Sequence, residues 1–148
     1  MTPPTPLPRP LKPDARDALI AAARDVARRA YAPASRFAVG AALLTEDGRI
    51  VAGCNVENAS YGLSICAERS AVFRMVAEGQ IRVVAIAVWT PLDPPGSPCG
   101  ACRQVLSEFA GPECAVILCG SGNTVVELSL GALLPRPFSF RDLNGPNA

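Results

Sequence analysis

Apolar residues recur at helical spacing early in the chain: Leu19, Ala22, Ala23, Val26, Ala27 and Ala30 fall on one stripe. Pro13 and Asp14 supply the chemistry of a helix start, and Tyr31 and Pro33 mark its expected end. The pattern then changes to that of strands. "FAVGAALLTEDGRIVAGCNV" reads as two strands joined at Asp47-Gly48, a strong hairpin dipeptide. Gly40 and Gly53 lie inside those strands, where a close backbone approach or a bulge is expected. Ser64 can cap a second helix that stops at Gly79. The continuous apolar run "VVAIAVW", residues 83–89, predicts a central strand buried on both faces. After the loop "PLDPPGSP", Ser97 and Pro98 predict the cap and first position of a third helix. "AVILC" and "TVVEL" are two further strands, and "SLGALLP" predicts a short helical turn. The order is helix, two strands, helix, strand, helix, strand, strand. Alternation in the second half implies some parallel pairing. The expected fold is a single three-layer α/β/α domain with one mixed five-stranded sheet.

Composition narrows the function classes. The chain has 148 residues, enough for one domain with a real core, and 49 % of them are apolar. Fourteen basic and thirteen acidic residues nearly cancel. A protein that grips a nucleic acid polymer usually carries a basic excess, so a small-molecule substrate is the expectation. No apolar run approaches the roughly 20 residues that span a bilayer. The opening "MTPPTPLPRPLKP" has no apolar signal core and reads as a flexible proline-rich tail over 1–13, ahead of a domain over 14–148. A cytoplasmic location with reduced thiols follows as the expectation.

The chain has six cysteines and no histidine. Ser-His and Cys-His nucleophile pairs are therefore excluded within one chain, and so is any imidazole ligand. Cys99 and Cys102 fall three apart at a predicted helix start, which puts both sulfurs on one face. C-x-x-C alone fits either zinc or thiol redox chemistry, and a third ligand elsewhere separates them. Cys66 supplies one, also at a predicted helix start, where partial positive charge favours a thiolate. Three protein ligands leave the fourth tetrahedral position of a zinc ion open, as in catalytic sites. Glu68, two residues after Cys66, is placed to act as general base and acid. Taken singly, Cys66 reads as a core cysteine and Glu68 as a surface charge. Cys66-Ala67-Glu68 together with Pro98-Cys99-Gly100-Ala101-Cys102 is a zinc-deaminase signature. Cys54, Cys114 and Cys119 read as structural thiols.

These motifs, with "SRFAVGAALL", "GCNVENASYG" and "LLPRPF", resemble the small homotetrameric cytidine deaminases over most of the chain after residue 30. The resemblance implies one Zn2+ per chain on Cys66, Cys99 and Cys102, and a proton-shuttling Glu68. It implies hydrolysis of cytidine and deoxycytidine to uridine and deoxyuridine, with release of ammonia, as in pyrimidine salvage. It assigns Arg69 to the ligating thiolates, where a guanidinium drains negative charge. It assigns Phe37, Asn55, Glu57 and Ala67 to substrate binding, with Asn55 and Glu57 on the sugar. Asn55 and Glu57 alternate on one strand face, which suits a shared ligand. It places Ala59, Tyr61 and Phe138 at the sites of neighbouring subunits of a homotetramer.

Two features depart from the family pattern: Ala34 stands where an aromatic is common, and the proline-rich tail is unusual. Two other readings compete. A blasticidin S-type deaminase shares the zinc motifs, but the intact "NVENASY" favours a nucleoside. A non-catalytic zinc-stabilised interaction domain would need a fourth protein ligand from Cys54, Cys114 or Cys119.

Overall fold

The computed structural model describes residues 6–144. Five strands and five helices alternate in it: α1 (Pro13–Ala27), β1 (Gly40–Thr45), β2 (Ile50–Cys54), α2 (Ala67–Ala77), β3 (Val83–Trp89), α3 (Gly100–Phe109), β4 (Ala115–Cys119), β5 (Val126–Ser129), α4 (Leu130–Leu133) and α5 (Phe140–Asn144). The sheet order is β2-β1-β3-β4-β5. β1 pairs antiparallel with β2 and with β3, β3 runs parallel to β4, and β5 returns antiparallel to β4. This is the expected mixed five-stranded sheet. The hairpin turns at Asp47-Gly48, with Gly48 at φ 86°, a conformation that costs glycine little.

Strand alternation sorts the core into two layers. Ala42, Ala85, Ala87, Ala115 and Ile117 face α1, which contributes Leu19 and Ala23. Ala41, Leu43, Ile86, Val88, Val116 and Leu118 face the other way, toward Val72 and Met75 of α2 and Leu106 of α3. The alanines on the first face let α1 settle close to the sheet. At Gly40 the approach is closest: a Cβ there would stand 1.9 Å from the Ala23 carbonyl oxygen. Gly53 does the same for α2, where a Cβ would stand 2.4 Å from the Ala71 nitrogen. Both glycines therefore mark close approach, and the sheet's one register shift lies at Leu44/Thr45 instead.

Three helix boundaries differ from expectation, each because another partner takes the backbone. α1 ends at Ala27 rather than near Tyr31, because Tyr31 pairs in extended form with Val56. α2 is capped by Cys66 rather than Ser64: Ile65 bridges Val56, which keeps the chain extended up to Cys66, and the Ser64 hydroxyl accepts from the Asn58 amide. α3 begins at Gly100 with Cys99 as its cap, while Ser97 accepts from Arg103. Beyond the expected elements, the chain has a 3₁₀ turn at Tyr61–Leu63 and the helix α5.

The first five residues of the proline-rich tail lie outside the described residues. Residues 6–12 run without regular structure along the end of the sheet. The Pro6 carbonyl accepts from the Ser129 hydroxyl at 2.5 Å, the Arg9 amide donates to the Glu113 carbonyl at 2.7 Å, and the Arg9 and Glu113 side chains form an ion pair. No helix among the described residues is long and apolar enough to cross a membrane.

Candidate metal centre and active site

Two helix starts converge at one end of the sheet. Cys66 caps α2, Cys99 caps α3, and Cys102 sits in the first turn of α3. Their sulfurs all lie within 4.8 Å of one another, and Cys66 Sγ is 3.9 Å from Cys99 Sγ. Sulfurs at the corners of a zinc tetrahedron with bonds of about 2.3 Å stand about 3.8 Å apart. The Cys102 amide donates to Cys99 Sγ at 3.5 Å, so a helix N–H already turns toward that sulfur.

The electrostatics suit a cation. Three sulfurs this close share protons. Cys66 is drawn down to about 5, chiefly by the Cys102 thiol donating to it, with Arg69 and Cys99 adding to the effect. Cys102 is pushed up by donating a hydrogen bond to the Cys66 sulfur and by burial, so it keeps its proton. One divalent ion in place of the shared protons satisfies all three sulfurs, so the donor set fits zinc. Arg69 Nη2 donates to Cys66 Sγ at 3.6 Å, which sets a guanidinium against the anionic centre. Arg69 Nε is buried with no hydrogen-bond partner among the described residues.

No fourth Cys, Asp or Glu joins the three cysteines among the described residues. Cys114 and Cys119 are buried elsewhere, donating to the Ala115 and Val88 carbonyls. Glu68 follows Cys66 by two residues on α2 and is only 4 % exposed. Burial pushes its carboxyl up, and the nearby Cys66 thiolate adds to the shift. A carboxyl raised in this way exchanges protons more readily near neutrality than an exposed one. The Ala67 side chain is wholly buried in the core. What Ala67 can present to a ligand is its backbone N–H in the open first turn of α2.

The second group of expected residues forms a backbone hub beside the cysteines. Asn55 Oδ1 accepts from the Val39 amide and Asn55 Nδ2 donates to the Phe37 carbonyl, both at 2.8 Å. Glu57 Oε2 accepts from the Ala34 amide at 2.8 Å, and both its oxygens accept from the Ser35 amide. Val56 between them exchanges two 2.9 Å backbone hydrogen bonds with Ile65, the residue before Cys66. Asn55 and Glu57 lie just beyond the end of β2 rather than within the strand, and the extended segment that carries them is thus tied directly to the chain entering the metal centre. Phe37 is half-buried, and the neighbouring Arg36 has φ 56°, a left-handed conformation unusual for a residue with a side chain. Ala59, Tyr61 and Phe138 are exposed in the single chain, and the Phe138 carbonyl accepts from Gln104 of α3.

Two parts of the arrangement had no separate signal in the sequence. The amides of Ala34 and Ser35 hold Glu57, and Arg103 grips the loop before Cys99. Arg103 lay inside the recognised "PCGACRQVLSEF" block, but two of its partners are carbonyl groups, which a side-chain motif does not reveal.

Comparisons agree with this geometry. Residues 13–119 match the family model for the cytidine and deoxycytidylate deaminase zinc-binding region. A cytidine deaminase of Halalkalibacterium halodurans is 46 % identical over 129 residues, which are 87 % of this chain and 98 % of the relative. A cytidine deaminase of Mycobacterium tuberculosis is 48 % identical over 124 residues, 82 % of this chain and 87 % of that one. The crystal structure of cytidine deaminase from Burkholderia pseudomallei superposes with a TM-score of 0.80 at 50 % identity, covering 82 % of this chain and 98 % of that chain. With the three-cysteine centre and the expected sheet in place, the chain belongs to the cytidine and deoxycytidylate deaminase zinc-binding family.

Proposed function

We propose that this protein is a cytidine deaminase, hydrolysing cytidine and deoxycytidine to uridine and deoxyuridine. The observation that carries the reading is a three-sulfur group with no fourth side-chain ligand among the described residues, flanked by a buried carboxyl two residues from Cys66. Cys66, Cys99 and Cys102 would hold zinc, which supplies a Lewis acid that activates water for attack at C4. Glu68 takes the proton that the attacking water gives up and delivers it to N3 of the ring. It then takes the proton of the new C4 hydroxyl, which becomes the product carbonyl, and passes it to the exocyclic amine. A C4–O bond forms, the C4–N bond breaks, and ammonia leaves. Arg69 offsets the charge of three thiolates, which would otherwise weaken the ion as a Lewis acid.

Asn55 and Glu57 are the proposed sugar contacts. Their hydrogen bonds to residues 34–39 do not exhaust them: an amide side chain has a second N–H and a second lone pair, and a carboxylate has about four acceptor sites. The hub aims what remains. Phe37 would pack on the substrate, and the Ala67 N–H would meet the base. Ala59, Tyr61 and Phe138 would complete the sites of neighbouring subunits in a homotetramer. The exposure of Tyr61 (78 %) and Phe138 (60 %) in the single chain supports that reading, because rings left in water gain from burial against a partner. Light scattering tests it, with a fully active monomer as the contrary result. The location proposed is cytoplasmic.

An absorbance assay tests the activity, with cytidine, deoxycytidine, cytosine, cytidine monophosphate and blasticidin S in parallel. Turnover of cytidine and deoxycytidine with stoichiometric ammonia is expected. Turnover of blasticidin S alone would assign the site to aminonucleosides. Zinc-loaded protein inert on all five would return the domain to a structural role.

A further inference from the structure

Arg103 uses all three guanidinium nitrogens on the chain around the metal centre. Its Nε donates to the Pro98 carbonyl at 2.8 Å, Nη1 to the Leu133 carbonyl at 3.0 Å, and Nη2 to the Ser97 hydroxyl at 3.0 Å. Its own amide donates to the Cys99 carbonyl at 3.0 Å. We propose that Arg103 is a positioning residue for zinc: it locks the Ser97-Pro98-Cys99 loop against α4 and so sets where the Cys99 and Cys102 sulfurs stand.

The peptide between Pro98 and Cys99 carries the Nε contact, so Arg103 fixes the plane from which Cys99 enters the cap of α3. Cys99 is the exposed member of the three cysteines, and Cys102 is held by the body of α3. The exposed ligand on an entering loop is the one that needs outside restraint. Leu133 supplies the anchor, because α4 packs on the core through the buried Leu130. A planar fork with donors on three nitrogens can join three acceptors in fixed directions, whereas a lysine ammonium at the same position cannot. Residues that orient metal ligands in this way typically change metal affinity or activity by about 10–100-fold when removed.

The proposal rests on the zinc reading of the three-cysteine group, and the test separates the two. Zinc release from the holoenzyme is timed with excess chromogenic chelator, below the melting transition, for wild type, Arg103→Ala and Arg103→Lys. Gly40→Ala is the comparison, because it loosens α1 on the opposite face of the sheet without touching the loop. The expected result is release about 10–100-fold faster in Arg103→Ala. Arg103→Lys should fail to restore the wild-type rate, and Gly40→Ala should release zinc as wild type does despite a lower melting temperature. If Arg103→Ala does not fold, Arg103→Lys decides, with at least about 10-fold faster release expected. Wild-type release from Arg103→Lys overturns the proposal alone. So does equal acceleration in Gly40→Ala, which would mean that general loosening frees the ion. Wild-type protein that holds no zinc overturns the metal reading and this proposal with it.

Discussion

Glu57 Oε2 stands 2.8 Å from the Ala34 amide nitrogen, so the carboxylate on the extended segment beyond β2 closes the turn that leads into Phe37. The same group accepts from Ser35, and the next residue, Arg36, sits at φ 56°. A left-handed arginine persists only where its surroundings over-determine it. Glu57 therefore has a structural task in addition to the proposed sugar contact.

Both tasks can be read from one variant. Removing a hydrogen bond to a charged group costs roughly 1.5–3 kcal/mol, or about 10- to 150-fold in kcat/KM. Glu57→Ala should lose cytidine activity by about that factor while retaining zinc. The loss should shrink on a nucleoside without a 3′-hydroxyl if the sugar contact dominates, and stay equal if the turn dominates. The Ser35 side chain foremost, then the Ala34 and Ser35 amides, hold this carboxyl below its usual range. A depressed pKa gives stability that is present above the unfolded value of about 4.3 and lost as pH falls through the folded value. The melting-temperature gap between wild type and Glu57→Gln should therefore be constant near neutrality and close below about pH 4.

Glu68→Gln keeps the shape of the side chain and removes its proton chemistry. General acid–base groups contribute typically 10²–10⁴-fold. Turnover should fall by at least about 10²-fold, with one zinc per chain by metal analysis. Near-normal turnover would overturn the assigned role.

Arg69→Ala removes the cation facing Cys66 and should lower kcat by about 10–100-fold, the usual effect of losing a partner of a metal ligand. Steady-state kinetics per bound zinc checks this. An effect confined to KM would place Arg69 on the substrate instead.

Gly53→Ala puts a methyl group 2.4 Å from the Ala71 nitrogen, where only movement of α2 away from β2 can make room. Overpacking of this kind costs about 1–3 kcal/mol or more. The melting temperature should drop by about 3 °C or more. Zinc retention should suffer too, because α2 begins at the Cys66 cap.

Ser129→Ala removes one hydroxyl with two partners. It accepts from the Ala132 amide at the start of α4 and donates to the Pro6 carbonyl, although Ser129 is only 1 % exposed. Loss of the cap and of a buried hydrogen bond should cost about 1–2 kcal/mol by denaturant melting. If the two partners act together, truncating the chain before residue 9 should already remove part of that cost. An unchanged midpoint in both variants would mean that the tail contributes nothing to the sheet's end.

The order of elements, the mixed sheet and the identity of the three cysteines were legible in the sequence, because each rests on local chemistry. Hydrophobic period, Asp47-Gly48 and the spacing of Cys99 and Cys102 are properties of a few neighbouring residues. The glycines at 40 and 53 announced close contact without naming the partner, since Ala23 and Ala71 approach them only after the layers stack. The caps went to Cys66 and Cys99 instead of Ser64 and Ser97 for a tertiary reason. Val56 pairs with Ile65, and Arg103 takes the Ser97 hydroxyl. The second tasks of Asn55 and Glu57, and the grip of Arg103 on Pro98 and Leu133, were likewise decided by folding. Their partners are backbone amides and carbonyls, which every residue carries, so no pattern of side chains marks them until the tertiary structure brings particular ones within reach.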